Sequence, residues 1–176
     1  MKKIAIDSYY PNDSLCCTVG LIFYNWTDEK PDDIIRVETT KFMPYVPGQF
    51  YKRELPGILE LLKCIKLQEF DTIIIDSYID LLLDSGEIQG GLGRHLGDSL
   101  MNSKKLNNIP DVVGVAKSKF GKTGKISEAV LRGISRNPLW VQSYLGDSEA
   151  GKKIREMAGE GRIPTLLKLL DKETKK

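Results

Sequence analysis

The run Thr72-Ile73-Ile74-Ile75-Asp76 narrows most what this chain can fold into. Three consecutive isoleucines leave no polar face, so the segment suits a buried strand rather than one with a wet side. A charged residue straight after such a run ends its burial, which places Asp76 at the strand's C-terminal end. Ile4-Ala5-Ile6-Asp7 has the same form, an apolar run closed by an acid, with turn chemistry at Pro11, Asn12 and Asp13 beyond it. The first strand is therefore expected to end near Asp7.

Between these runs, Leu15 to Trp26 and Asp33 to Phe42 are strand candidates joined by a polar turn with Asp28, Lys30, Pro31 and Asp32. That predicts three antiparallel strands at the start of the fold. After Pro56, residues Ile58, Leu61, Leu62 and Ile65 recur at helical spacing, which leaves Glu54 just ahead of that helix. Downstream, Gly91 to Ser103 is a glycine-containing helix and Val112 to Ser118 a buried strand. Ala129 to Ile134 forms a late hairpin with Pro138 to Tyr144. Ser148 to Ala158 is a helix capped by Asp147 or Ser148, and a last helix begins at Pro164. Only the end, Lys172 to Lys176, reads as frayed. Strands followed by alternating helix and strand predict a mixed α/β sheet with helices packed on it, in a single domain over residues 1–176.

Composition excludes some functions and leaves others open. With 41% hydrophobic and 28% charged residues, and no apolar run near the length of a membrane span, the chain reads as an ordinary soluble globule. The start has two lysines and then only three apolar residues before Asp7, too short for a secretory core, so an intracellular, cytoplasmic protein is expected. Cys16, Cys17 and Cys64 lack zinc or redox spacing and read as buried or half-buried spacers. A net charge of +2 does not announce a nucleic-acid partner. The distribution says more: Lys117, Lys119, Lys122, Lys125, Arg132 and Arg136 face a single acid, Glu128, in that stretch. This basic patch suits a phosphate backbone, although such runs are often solvated surface.

Asp7 and Asp76 on neighbouring strands would stand side by side, and carboxylates that close repel unless a hard divalent cation lies between them. Glu54 is a third acid nearby in sequence. Such a trio can hold one or two Mg²⁺ ions for an in-line phosphoryl displacement. Each acid alone has a plainer role, as a turn former or a helix-terminal charge.

The segment Pro44 to Pro56, PYVPGQFYKRELP, resembles the endonuclease V family at Pro44, Tyr45, Pro47, Gly48, Arg53, Glu54 and Pro56. Ile4 to Tyr10, Thr72 to Asp76, Ile109 to Ser118 and the tail from Gly161 are similar to other segments of that family, so the likeness runs from Asp7 to about Asp171. The resemblance implies a ribonuclease H-like mixed sheet flanked by helices. It implies a metal site of Asp7, Glu54 and Asp76, with Mg²⁺ bound and Mn²⁺ able to substitute, and Lys117 as a fourth catalytic side chain near the scissile phosphate. Tyr45, with Pro44, Val46 and Pro47, would be a stiff wedge that fills the gap left by an everted base. Gly48, Lys119 and Lys122 complete the nucleic-acid contacts. The partner would be DNA or RNA, inosine-containing strands included, in a repair role, with no membrane and no obligate protein partner. Cleavage would leave a 3′ hydroxyl and a 5′ phosphate.

Two segments depart from the family's pattern. After Asp76 the chain has Ser77, Tyr78, Ile79, Asp80, Leu81 and Leu82, where the family has a Gly-His-Gly loop that forms part of the hypoxanthine pocket. Leu145 stands where the family has a late histidine, leaving Asp80, Asp84 or Asp147 as possible substitutes, and the one histidine, His95, reads as a packed helical residue. Two functions fit: a divergent metal-dependent endonuclease whose base preference is open, or a nucleic-acid-binding module of the same fold with little or no cleavage.

Overall fold

The computed structural model describes residues 1–47, 49–103 and 108–176. Seven strands form one sheet: β1 (Lys2–Asn12), β2 (Leu15–Phe23), β3 (Asp33–Thr39), β4 (Phe70–Ile75), β7 (Asp111–Ala116), β8 (Glu128–Val130) and β9 (Leu139–Ser143). A separate two-stranded hairpin pairs β5 (Asp80–Leu82) with β6 (Ile88–Gly90). The helices are α1 (Tyr51–Leu62), α2 (Leu92–Met101), α3 (Ala150–Glu156) and α4 (Thr165–Thr174). Among the described residues no helix is long and apolar enough to cross a membrane.

The large sheet runs in the order β3-β2-β1-β4-β7-β9-β8. Parallel pairing of β1 with β4 and of β4 with β7 forms its middle, and antiparallel pairs flank it on both sides. This is the expected mixed sheet, with the three antiparallel strands and the late hairpin in their expected places.

Alternation along the central strands explains why the isoleucine run has no polar residue. Ile4, Ile6, Ile73 and Ile75 pack with Ile58 and Leu61 of α1 and Leu96 of α2. Ala5 and Ile74, between them, pack on the opposite face with Ile154 of α3 and Leu166 and Leu170 of α4. A strand sandwiched between two helical layers needs apolar side chains at both parities.

Several boundaries differ from expectation. β1 does not stop near Asp7: Ser8 and Tyr9 still pair with Thr18 and Cys17, and Asn12 pairs with Leu15 across a bulge. The acid ends the parallel pairing with β4, whose last paired rung is Ile6 with Ile75, but not the strand itself. α1 begins at Tyr51, so Glu54 lies in its first turn and Pro56 inside it. Pro56 lies past the first turn, so it leaves the Lys52 carbonyl without the N–H that would continue the helical ladder. The C-terminal end is not frayed either. α4 runs to Thr174, Glu173 and Thr174 are buried, and Glu173 pairs with Arg36 and Lys176. Cys16 and Cys17 are buried, but Cys64 is exposed, because it follows the end of α1 rather than facing the sheet.

Candidate active site

The register of β1 on β4 brings the first two acids together. Ile6 is paired with Ile75, so Asp7 and Asp76 lie one residue further along, just past the last parallel rung, Asp7 within β1 and Asp76 at the C-terminal end of β4. Open α/β sheets commonly place their ligands at that edge. Glu54 arrives from α1, which comes unusually close to β2. A Cβ on Gly57 would lie 2.4 Å from Thr18 Oγ1, so only glycine lets the helix sit at this depth. Asp7, Glu54 and Asp76 thus line one cavity of about 120 Å³, together with Ser8 and Phe50.

Burial and mutual repulsion act on these acids. Burial raises the Asp7 carboxyl to about 6, the charge of Asp76 adds to the rise, and the Ser8 N–H donating to Asp7 Oδ1 at 2.8 Å offsets part of it. Glu54 is pushed up to about 7, first by burial and then by the charge of Asp7, against hydrogen bonding from Tyr10 and Ser8 and the charge of Arg53. Tyr10 also fixes the backbone there. Its hydroxyl donates to the Arg53 carbonyl at 2.9 Å, and the Arg53 guanidinium lies 4.0 Å from the centre of its ring.

Lys117 follows β7 and reaches across to Asp76, with Nζ 2.5 Å from Oδ2. Burial works against its charge, but the hydrogen bond and charge of Asp76, aided by Asp7 and Asp171, outweigh it and hold the ammonium above its ordinary pKa. The lysine backbone is held as well. Arg162, in the segment before α4, donates to the carbonyls of Lys117, Asn137 and Pro138, and Tyr78 donates to the next carbonyl, Ser118, at 2.7 Å.

A second cavity of about 480 Å³ shares Phe50, Asp76 and Leu92 with the first. Tyr45, Tyr51, Tyr78, Lys117, Lys119 and Phe120 also line it. The loop after Asp76, which supplies Ser77 and Tyr78 to its wall, is held by its backbone. Gln142 Oε1 accepts from the N–H groups of Ile79 at 2.7 Å and Asp80 at 2.9 Å. The carbonyls of Tyr78 and Ile79 accept from Gly93, Gly91 and Arg94. β7 passes tightly beneath: a Cβ on Gly114 would lie 2.5 Å from the Ser77 carbonyl oxygen.

The sequence candidates therefore divide. Asp7, Glu54, Asp76 and Lys117 come together; Tyr45 and Lys119 line the adjoining cavity; Pro47 lies on the exposed loop leading to it, and Gly48 is outside the described residues. Lys122 is exposed, with Nζ donating to the Asp84 carbonyl at 2.7 Å, and lines neither cavity. Arg132 does not belong to a basic surface. It is buried, and its guanidinium donates to the carbonyls of Met157 and Gly159. Asp80 and Asp147 are engaged elsewhere, by Arg94 at 2.6 Å and Lys153 at 2.5 Å, and Asp84 does not line the cavity of the three acids. His95 stacks on Tyr51, with ring centres 3.5 Å apart. The further acid that acts on the cluster is Asp171 of α4, whose charge raises both Asp7 and Lys117. Its sequence signal was weak: an acid four residues after Leu167 and next to Leu170, on the helix flank that packs under the sheet.

An all-oxygen donor set suits a hard divalent cation. Among the described residues no three His, Cys, Asp or Glu side chains converge closely enough to enclose an ion. Mg²⁺ does not require that, since it keeps several waters and is commonly held by one or two carboxylates. Asp7 and Glu54, buried and mutually repelling, fit that role.

No protein-family model and no curated protein matches the chain. Solved structures do. Endonuclease V of Ciona intestinalis, in complex with a 24mer DNA containing an inosine followed by a ribo-adenosine, superposes with a TM-score of 0.74 at 18% identity, covering 99% of this chain and 84% of that one. The catalytic domain of human endonuclease V gives 0.70 at 18% identity, over 99% and 80%. The Bacillus subtilis endonuclease V gives 0.64 at 16% identity, over 99% and 78%. The chain has the ribonuclease H-like α/β fold of these proteins.

Proposed function

We propose that this chain is a divergent endonuclease of the endonuclease V type, hydrolysing phosphodiester bonds of DNA or RNA with a divalent metal ion. The observation that carries the reading is the meeting of Asp7, Glu54 and Asp76 at one cavity, with Lys117 beside them, on a fold shared with nucleases. One of those nucleases was solved on inosine-containing DNA.

Asp7 from the sheet and Glu54 from α1 would hold the Mg²⁺ or Mn²⁺ ion, with Asp76 lining the same cavity. The bound cation would supply Lewis acidity and a water of lowered pKa. Lys117, held by Asp76 and by its clamped backbone, would present its ammonium where negative charge builds on the phosphate. The exposed ring of Tyr45 and the stiff prolines beside it would support the strand around the reacting nucleotide.

Nicking of labelled single- and double-stranded DNA and RNA, with and without inosine, in Mg²⁺ and in Mn²⁺, tests this directly. Asp76→Asn keeps the shape and removes the charge. It is expected to lower cleavage by more than the roughly 10- to 100-fold typical of losing a supporting hydrogen bond near a metal, with folding retained. Undiminished cutting by that variant would sink the assignment. One observation favours the alternative of a binding module that does not cut: Asp76 is already taken by Lys117, and no trio of ligands converges among the described residues. Salt-sensitive binding without cleavage would establish it.

A further inference from the structure

The larger cavity is lined unlike a site built to recognise one particular base. Reading a base edge takes donors and acceptors in fixed order, as Asn, Gln and Arg present them. None of these, nor His, is among the described residues lining the cavity; Lys119 brings a single ammonium with no acceptor beside it, and Lys117 and the one carboxylate, Asp76, hold each other. The hydroxyls of Ser77 and Ser118 both donate and accept, so they serve either kind of edge. Of the backbone that follows Asp76 in the cavity wall, the Tyr78 carbonyl is already committed, accepting from Gly93 of α2.

What the cavity offers instead is rings. Tyr45, Phe50, Tyr51, Tyr78 and Phe120 meet there, and Tyr45, Phe50 and Phe120 remain 57%, 43% and 46% exposed. Large aromatic side chains left open around one concavity mark a binding surface. Every nucleobase has a flat face, so stacking on such rings tolerates any of them. The cavity also adjoins the three carboxylates through Phe50, Asp76 and Leu92, so a base held in it leaves its own phosphate near Lys117.

Resting on the nuclease reading above, we infer that this cavity takes the unpaired base of a single-stranded or looped nucleotide by stacking and does not choose among bases. Strand state, not base identity, selects the substrate.

The test is a matched set of short labelled oligonucleotides, in a DNA and an RNA series, each with one looped-out position. That position carries adenine, cytosine, guanine, thymine or uracil, hypoxanthine, or no base. Binding is measured by fluorescence anisotropy without metal and in Mg²⁺, and cleavage is followed in parallel. All bases are expected to bind within about threefold of one another, and the abasic strand about fivefold or more weakly, the range given by loss of one stacked base. Phe120→Ala and Tyr45→Ala, both at exposed positions, should each narrow the gap between abasic and base-containing strands while melting like the parent.

A tenfold or greater preference for hypoxanthine, or for any other base, overturns the inference even if cleavage is robust. Abasic strands bound as tightly as the rest overturn it too. Base-blind binding without cleavage keeps the inference and removes the nuclease reading. No binding to any strand removes both.

Discussion

Asp7 and Glu54 keep protons that exposed carboxylates would have released. Asp7 moves from an ordinary 3.8 to about 6 and Glu54 from 4.5 to about 7. The folded state therefore binds protons more tightly than the unfolded chain. The stability these groups contribute is fully present below about pH 4 and is lost as pH rises through 6 and 7. Urea unfolding without divalent ions should show stability falling across that window, by about 3 kcal/mol for Asp7 alone. Asp7→Asn should flatten the slope and stabilise the metal-free protein at pH 8. The charge of Asp7 is one of the causes that raise Glu54, so pairing Asp7→Asn with Glu54→Gln should gain less than the sum. Stability that stays level from pH 4 to 7 would mean the two carboxyls are not buried as described.

Among the elements, the depth of α1 and the clamp on β7 decide the site's geometry. Gly57→Ala would drive a methyl group against Thr18 Oγ1, and the helix carrying Glu54 would have to lift. The expected loss is about 1–3 kcal/mol by thermal melting, as for other overpacked cores. Removing the obstructing oxygen with Thr18→Ala in the same chain should return part of it; failure of that rescue would count against the contact. Arg162 joins the end of β7 to the segment entering β9 through three carbonyls. Arg162→Ala should cost about 1–3 kcal/mol, in the range of charged hydrogen bonds. It should also reduce turnover more than substrate affinity, because it loosens the backbone of Lys117 without touching the binding rings. Equal effects on both kinetic constants would argue for a purely structural part.

At the scale of the whole molecule, the layered sheet was legible because burial on two faces leaves a plain mark: apolar runs with no polar gap, each followed by an acid. The adjacency of Asp7 and Asp76 followed from that mark. What stayed hidden depends on partners distant in sequence. Nothing local shows that β2 keeps pairing with β1 past Asp7, that Gln142 and Thr123 anchor a hairpin of three-residue strands, or that Arg132 folds inward onto carbonyls. Asp171 was hidden for the same reason, since an acid on a helix reveals its neighbours only once the helix is docked. The placement of the three thiols gives the molecule a built-in chemical reporter. Cys64 is open to alkylation, whereas Cys16 lies beneath α1, its Sγ 3.3 Å from where a Cβ on Gly57 would stand. In a Cys17→Ala chain, which removes the other buried thiol, a thiol reagent should therefore consume Cys64 at once and Cys16 only when the helix bearing Glu54 lifts, so the slow phase times the opening of the site.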